Sequence, residues 1–129
     1  MIVRQLEDVL GSPSEVRTET WVSRRLLLRR DDLGYSFHDT VMRGGTETPM
    51  WYRHHVEAVY CVAGEGLLRN LEAGETHRLA PGTLYVLNGH ERHSVRADSD
   101  LRLLCIFTPP CTGSEIHDAQ GSYPAPTAP

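Results

Sequence analysis

The sequence predicts an all-β protein of double-sheet jelly-roll architecture, built as a single domain with one short N-terminal helix. Three observations carry that prediction. Short runs of alternating or continuous apolar residues recur along the chain, the signature of strands rather than helices. Turn-forming clusters separate them: Asp31-Asp32-Leu33-Gly34, Gly44-Gly45, Gly64-Glu65, Glu72-Ala73-Gly74, Pro81-Gly82 and Asp98-Ser99-Asp100. A chain of 129 residues is long enough for one core and too short for two, and many short strands at that size favour two packed sheets.

In chain order, residues 2–6 read as a first strand and 7–10 as the short helix, which Gly11 can end. Further strands are expected at 25–29, 35–42, 57–62, 66–71, 76–79, 83–87, 94–96 and 101–107. These place the folded, catalytic domain at 1–118. The remainder, 119–129, is rich in proline, alanine and serine; it lacks the apolar surface to form a core and is expected to be a flexible tail or a lid. No internal repeat is visible.

Composition narrows the function. An apolar fraction of 40% and a formal charge of -4 describe an ordinary globular chain with no electrostatic pull towards nucleic acid. All 13 basic residues are arginine, which excludes a lysine Schiff base or a lysine general base. No apolar run nears the roughly 20 residues that span a bilayer, and Met1-Ile2-Val3-Arg4-Gln5-Leu6-Glu7-Asp8 lacks a secretory core. A cytoplasmic location is expected. Cys61, Cys105 and Cys111 form an odd set without metal-type spacing, as reduced, buried thiols would.

Strand parity then selects which side chains can meet, since alternate residues face opposite sides. A continuous strand would put Trp51, Arg53, His55, Glu57, Val59 and Cys61 on one face. Thr83, Tyr85 and Leu87 share a face of another strand, and Leu103, Cys105 and Phe107 of the last. With these faces turned inward, the interior is mostly apolar, with Glu57, Tyr85 and His93 as its polar points. Such a trio suits a divalent first-row metal, with iron(II), manganese and zinc all open on ligand type. Three protein ligands would leave the open positions that Lewis-acid catalysis needs. The competing structural reading makes Glu57 a buried carboxylate paired with Arg53 or a histidine, Tyr85 a core aromatic and His93 a turn residue. Of the adjacent His54 and His55, only one can point inward; His55 is the candidate. His77 and His90 flank turns and are expected to face solvent.

Two features of this pattern resemble the cupins. Glu57 precedes Gly64 by seven positions, and Pro81-Gly82-Thr83-Leu84-Tyr85-Val86-Leu87-Asn88-Gly89-His90-Glu91-Arg92-His93 leads through a strand to a histidine. Cupins usually carry two further histidines where this chain has Trp51 and Arg53, a departure from the common oxygenase ligand set.

Within the cupins the chain resembles the ectoine synthases. The likeness rests on Glu57-Ala58-Val59-Tyr60-Cys61, on Ala80-Pro81-Gly82-Thr83-Leu84-Tyr85, and above all on Phe107-Thr108-Pro109-Pro110-Cys111-Thr112-Gly113-Ser114-Glu115-Ile116-His117-Asp118. It runs from Met1 to Pro124. The resemblance implies an iron-dependent homodimer, with Fe(2+) held by Glu57, Tyr85 and His93. It also implies a small-molecule reaction, closure of N-gamma-acetyl-L-2,4-diaminobutyrate to the compatible solute ectoine with loss of water. Substrate contacts would fall on Trp21, Ser23, Thr40 and Tyr52, and on Cys105, Phe107, Glu115 and His117. Some relatives have histidines at positions 49 and 51, where this chain has Pro49 and Trp51; neither position is a ligand in the family.

That reaction needs an amide carbonyl polarised, a flexible chain held folded, and protons moved between nitrogen and departing oxygen. His55, Glu115 and His117 are the candidates for the proton transfers. Trp21 and Phe107 could wall off bulk water, and Cys105 is expected to be a neutral wall thiol. The rival readings are another metal-dependent cupin, isomerase or oxygenase, and a non-catalytic ligand-binding cupin.

Overall fold

The computed structural model describes residues 1–125. Ten antiparallel strands form two sheets. One has the order β1-β2-β3-β10-β5-β8, the other β4-β9-β6-β7, where β1 is Glu15–Arg17, β2 Trp21–Leu27, β3 Ser36–Met42, β4 Thr46–Met50, β5 Val56–Ala63, β6 Gly66–Asn70, β7 Thr76–Leu79, β8 Leu84–Leu87, β9 His93–Ala97 and β10 Leu101–Thr108. The expected jelly roll is thus present, with one short α-helix among the described residues, α1, at Leu6–Val9, and a 3-10 turn at Arg29–Asp31.

Alternation builds the core. On β10 the inward residues Leu101, Leu103, Cys105 and Phe107 are buried while Arg102, Ile106 and Thr108 are exposed. They pack with Val59 and Cys61 of β5, Met42 of β3, and Leu68, Val95 and Ala97 of the other sheet. Gly64, at φ +88°, turns β5 into β6; any Cβ there would strike the carbonyl of Asp100, so the position requires glycine. All three cysteines are buried free thiols.

Several expectations are corrected. Residues 2–6 are not a strand: the chain finds no partner strand there, and Arg4 instead forks onto the Asp31 carboxylate at 2.6 and 2.8 Å and onto the Leu26 carbonyl at 2.8 Å. β2 begins at Trp21, four residues before the expected start, and β1 and β4 were not foreseen. Pro49 obscures β4 in the sequence, but β4 is an edge strand, where proline is tolerated. β5 starts only at Val56, so Trp51 and Arg53 do not continue its inner face; Arg53 is exposed and Trp51 half-buried. The expected free tail is corrected too. Ser122 and Tyr123 are buried, and Tyr123 belongs to the hydrophobic core. Residues 126–129 of that tail lie outside the described residues.

Candidate active site

The site lies on the inner face of the six-stranded sheet, where the register fixes neighbours. Ser23 stands opposite Thr40, which stands opposite Leu103. Phe107 stands opposite Glu57, and Val59 opposite Tyr85. A cavity of about 30 Å³ opens between these side chains. Of the residues expected to touch substrate, Trp21, Thr40, Tyr52, Cys105, Phe107 and His117 line it, as do Glu57 and Tyr85. Ser23, His55 and Glu115 do not.

Each of those three lies elsewhere: Ser23 and His55 are buried outside the cavity and Glu115 is half-buried. Ser23 Oγ accepts from Arg25 Nε at 3.1 Å and lies 3.4 Å from His38 Nδ1. The Glu115 carboxylate is turned back on its own loop and accepts the Thr112 and Gly113 amides at 2.6 and 2.8 Å. His55 points inward as parity required while His54 is exposed, but it packs edge-on to Phe107, and both its ring nitrogens lack a partner.

Burial governs the electrostatics. The cavity lining contains no arginine, and desolvation pushes the Glu57 carboxyl up to about 8, against the pull of the Cys105 hydrogen bond. Burial also drives the Tyr85 phenol well above its ordinary value, with Glu57 adding to the effect. The Cys105 thiol is raised for the same two reasons, so it is the neutral wall group expected. His93 donates through Nδ1 to the Glu91 carbonyl, 3.1 Å away, and its buried Nε2 has no partner.

The three expected ligands come from β5, β8 and β9. Glu57 and Tyr85 share the cavity, while Tyr85 and His93 share the adjoining space between the sheets. Among the described residues, no three His, Cys, Asp or Glu side chains gather in a metal-holding group; a tyrosine is integral to the expected set. The chemistry of the donors fits a cation. An imidazole fixed through one nitrogen with the other free is the usual state of a metal-ligating histidine, and a buried carboxylate without a counter-charge is stabilised by a nearby ion.

The remaining wall is aromatic and comes from the C-terminal segment. His117 Nε2 and the Tyr52 hydroxyl share a 2.7 Å hydrogen bond, and His117 stacks on Tyr123 with centroids 5.0 Å apart. Burial, with His93 and Arg25 nearby, lowers His117 to about 4. Tyr123 and Arg25 escaped the sequence reading, and a lone arginine at the start of an expected strand gave no signal of burial.

The ectoine synthase family model matches residues 1–127. This chain belongs to the ectoine synthase family. An L-ectoine synthase of Thermobifida fusca is 58% identical over 124 residues, covering 96% of this chain and 92% of that one. One of Desulfosudis oleivorans is 53% identical, with 95% and 96% covered. Among solved structures, the ectoine synthase from P. lautus superposes with a TM-score of 0.88 at 48% identity, covering 99% of this chain and 94% of that one. The family's fold is shared more widely. The Cupin_2 domain of an XRE-family transcriptional regulator from Enterobacter cloacae reaches a TM-score of 0.60 at 18% identity, covering 71% and 99%.

Proposed function

We propose that this chain is a hydro-lyase that closes N-gamma-acetyl-L-2,4-diaminobutyrate to L-ectoine. The carrying observation is the family membership across the whole described chain, supported by a cavity lined by six of the eight substrate contacts that the resemblance implied. In the reaction, the free α-amine attacks the acetamide carbonyl carbon. A C–N bond forms and the carbonyl oxygen departs as water. One group must therefore take protons from the attacking nitrogen, and one must deliver them to the oxygen.

Glu57, Tyr85 and His93 would hold the metal. We assign iron(II), with zinc and manganese as alternatives, and when bound it would polarise the carbonyl as a Lewis acid. The chain's own residues supply the rest. Trp21 and Phe107 form apolar walls that hold the substrate folded on itself, which favours an intramolecular attack. A cavity of about 30 Å³ has room for about one water, so the lining moves apart to admit substrate and bulk water is excluded from reversing the condensation. His117, hydrogen-bonded to Tyr52 at the cavity wall, is the best placed of His55, Glu115 and His117 to move a proton. Glu115 is bound into its own loop, and we assign it a structural part.

We further propose a cytoplasmic homodimer. Three free buried thiols suit a reducing compartment. The outer face of the large sheet exposes Tyr60, Leu84, Val86 and Ile106 at 45%, 63%, 43% and 39%. These lie on adjacent strands, with β8 an open edge, and a second copy would cover them. Light scattering on a sizing column tests this: a protein that remains monomeric at micromolar concentration contradicts the dimer.

A further inference from the structure

We infer that Arg25 is a positioning residue for this reaction, a buried clamp that holds the C-terminal segment 113–123 against the sheet so that His117 reaches the cavity. The inference rests on the function proposed above.

Arg25 lies on the inner face of β2, 1% exposed, the largest of the fully buried side chains. A guanidinium without water must place its donors on protein acceptors. Nε donates to Ser23 Oγ at 3.1 Å and Nη1 to the Gly113 carbonyl at 2.9 Å; Nη2 donates to the Glu115 carbonyl at 2.6 Å and to the Tyr123 hydroxyl at 3.4 Å. Those are four of the five donors an arginine carries, and Nη1 also faces Glu115 Oε1 at 3.7 Å. The guanidinium lies over the Tyr123 ring, 5.5 Å from its centroid. It is thus spent on the chain itself.

Three of those acceptors belong to residues 88 to 98 positions further along the chain, in a segment that joins neither sheet. His117 sits between two of the anchor points, Glu115 and Tyr123. The Glu115 carboxylate, holding the Thr112 and Gly113 amides, shapes the turn whose carbonyls Arg25 reads. The opposite side of the segment has lighter ties, Trp51 N–H to the Gly121 carbonyl at 2.8 Å and Arg53 N–H to Ser122 Oγ at 3.2 Å. A lysine at position 25 would keep the charge but, as a compact ammonium, could not span these acceptors.

The test compares full-length, metal-loaded wild type, Arg25→Lys and Gly113→Ala by hydrogen–deuterium exchange, metal content and steady-state kinetics. Gly113 has φ +140°, and an added Cβ would lie 3.1 Å from Leu28 Cδ1, so alanine displaces the carbonyl that Arg25 holds. Both variants are expected to raise deuterium uptake in 113–123 and to keep full metal content. Both are expected to lose about tenfold or more in kcat, since small misplacements of a reacting group cost that much, with little change in KM. The double variant is expected to be no worse than the more impaired single one. Wild-type uptake and kcat in folded Arg25→Lys would overturn the inference, as would raised uptake with unchanged kcat, or fully additive losses. If Arg25→Lys fails to fold, Gly113→Ala decides by the same two readouts. Uptake is measured without substrate, so a protein that is clamped yet makes no ectoine would sink the function and leave the clamp standing.

Discussion

The strands that carry Glu57, Tyr85 and His93 and the segment that carries Glu115, His117 and Tyr123 meet at one cavity but are held there by different forces. Glu57 lies between two ladders, paired to β10 and β8, and His93 between β4 and β6. Their positions follow from backbone hydrogen bonds that every residue of the strand shares. The C-terminal segment has no ladder. It is tied by individual contacts, Arg25 above all, by one backbone hydrogen bond from Trp51 to Gly121, and by stacking among Tyr52, His117 and Tyr123. The groups proposed to hold the metal thus sit on a hydrogen-bonded frame, while the wall proposed to move protons is free of the ladders and, on this reading, can release as a unit to admit substrate.

The largest effects are expected at the frame. Glu57→Ala, Tyr85→Ala and His93→Ala are each expected to remove most bound metal and to lower turnover at least about a hundredfold, more than loss of an outer partner costs. Metal analysis beside activity checks this, and a folded variant with its full iron content contradicts the ligand assignment. Next in size is the segment. Ending the chain before Glu115 is expected to lower turnover on the order of a hundredfold, the weight of an acid–base group, while metal binding is retained; equal turnover by short and full-length proteins would reject a role for the segment. Tyr52→Phe removes only the hydroxyl facing His117 and is expected to cost about tenfold in kcat at unchanged metal content.

The smallest effect is expected on the outer face of the sheet, where Asp39 points away from the cavity that the neighbouring Thr40 lines. Burial alone would raise the Asp39 carboxyl, but hydrogen bonds from Arg102 and Arg24 outweigh it and leave it lowered. A depressed carboxyl stabilises the fold above its unfolded value, near 4, and that contribution is lost as pH falls through the lower folded value. Asp39→Asn is therefore expected to lower the unfolding temperature at neutral pH, with the gap to wild type closing in acid and kcat unchanged. A gap that persists at pH 3 would contradict the ion-pair account.

The same contrast explains what could be read from sequence. Parity on short alternating runs brought Glu57, Tyr85, Cys105 and Phe107 to the interior because ladders are repetitive and alternation survives in the residues themselves. It failed where repetition stops. Trp51 and Arg53 fell off the inner face since the strand begins at Val56, and polar, proline-bearing β4 gave no apolar signal. Tyr123 lies among Ser, Pro and Ala residues that favour exposure, so only the packed rings reveal that it is core. Arg25 reads as an ordinary surface charge until the carbonyls of Gly113 and Glu115 arrive from about ninety residues away. Glu115 was recognised by its motif, but a motif does not say which way a carboxylate turns.

On this reading, the ladder-held trio and the side-chain-held wall together close an amidine ring. Anaerobically handled, iron(II)-loaded protein incubated with N-gamma-acetyl-L-2,4-diaminobutyrate, followed by mass spectrometry beside a chelated control, tests it most directly. Ectoine is expected from the loaded protein and little from the control. Folded, metal-bound protein that yields no ectoine would contradict this reading.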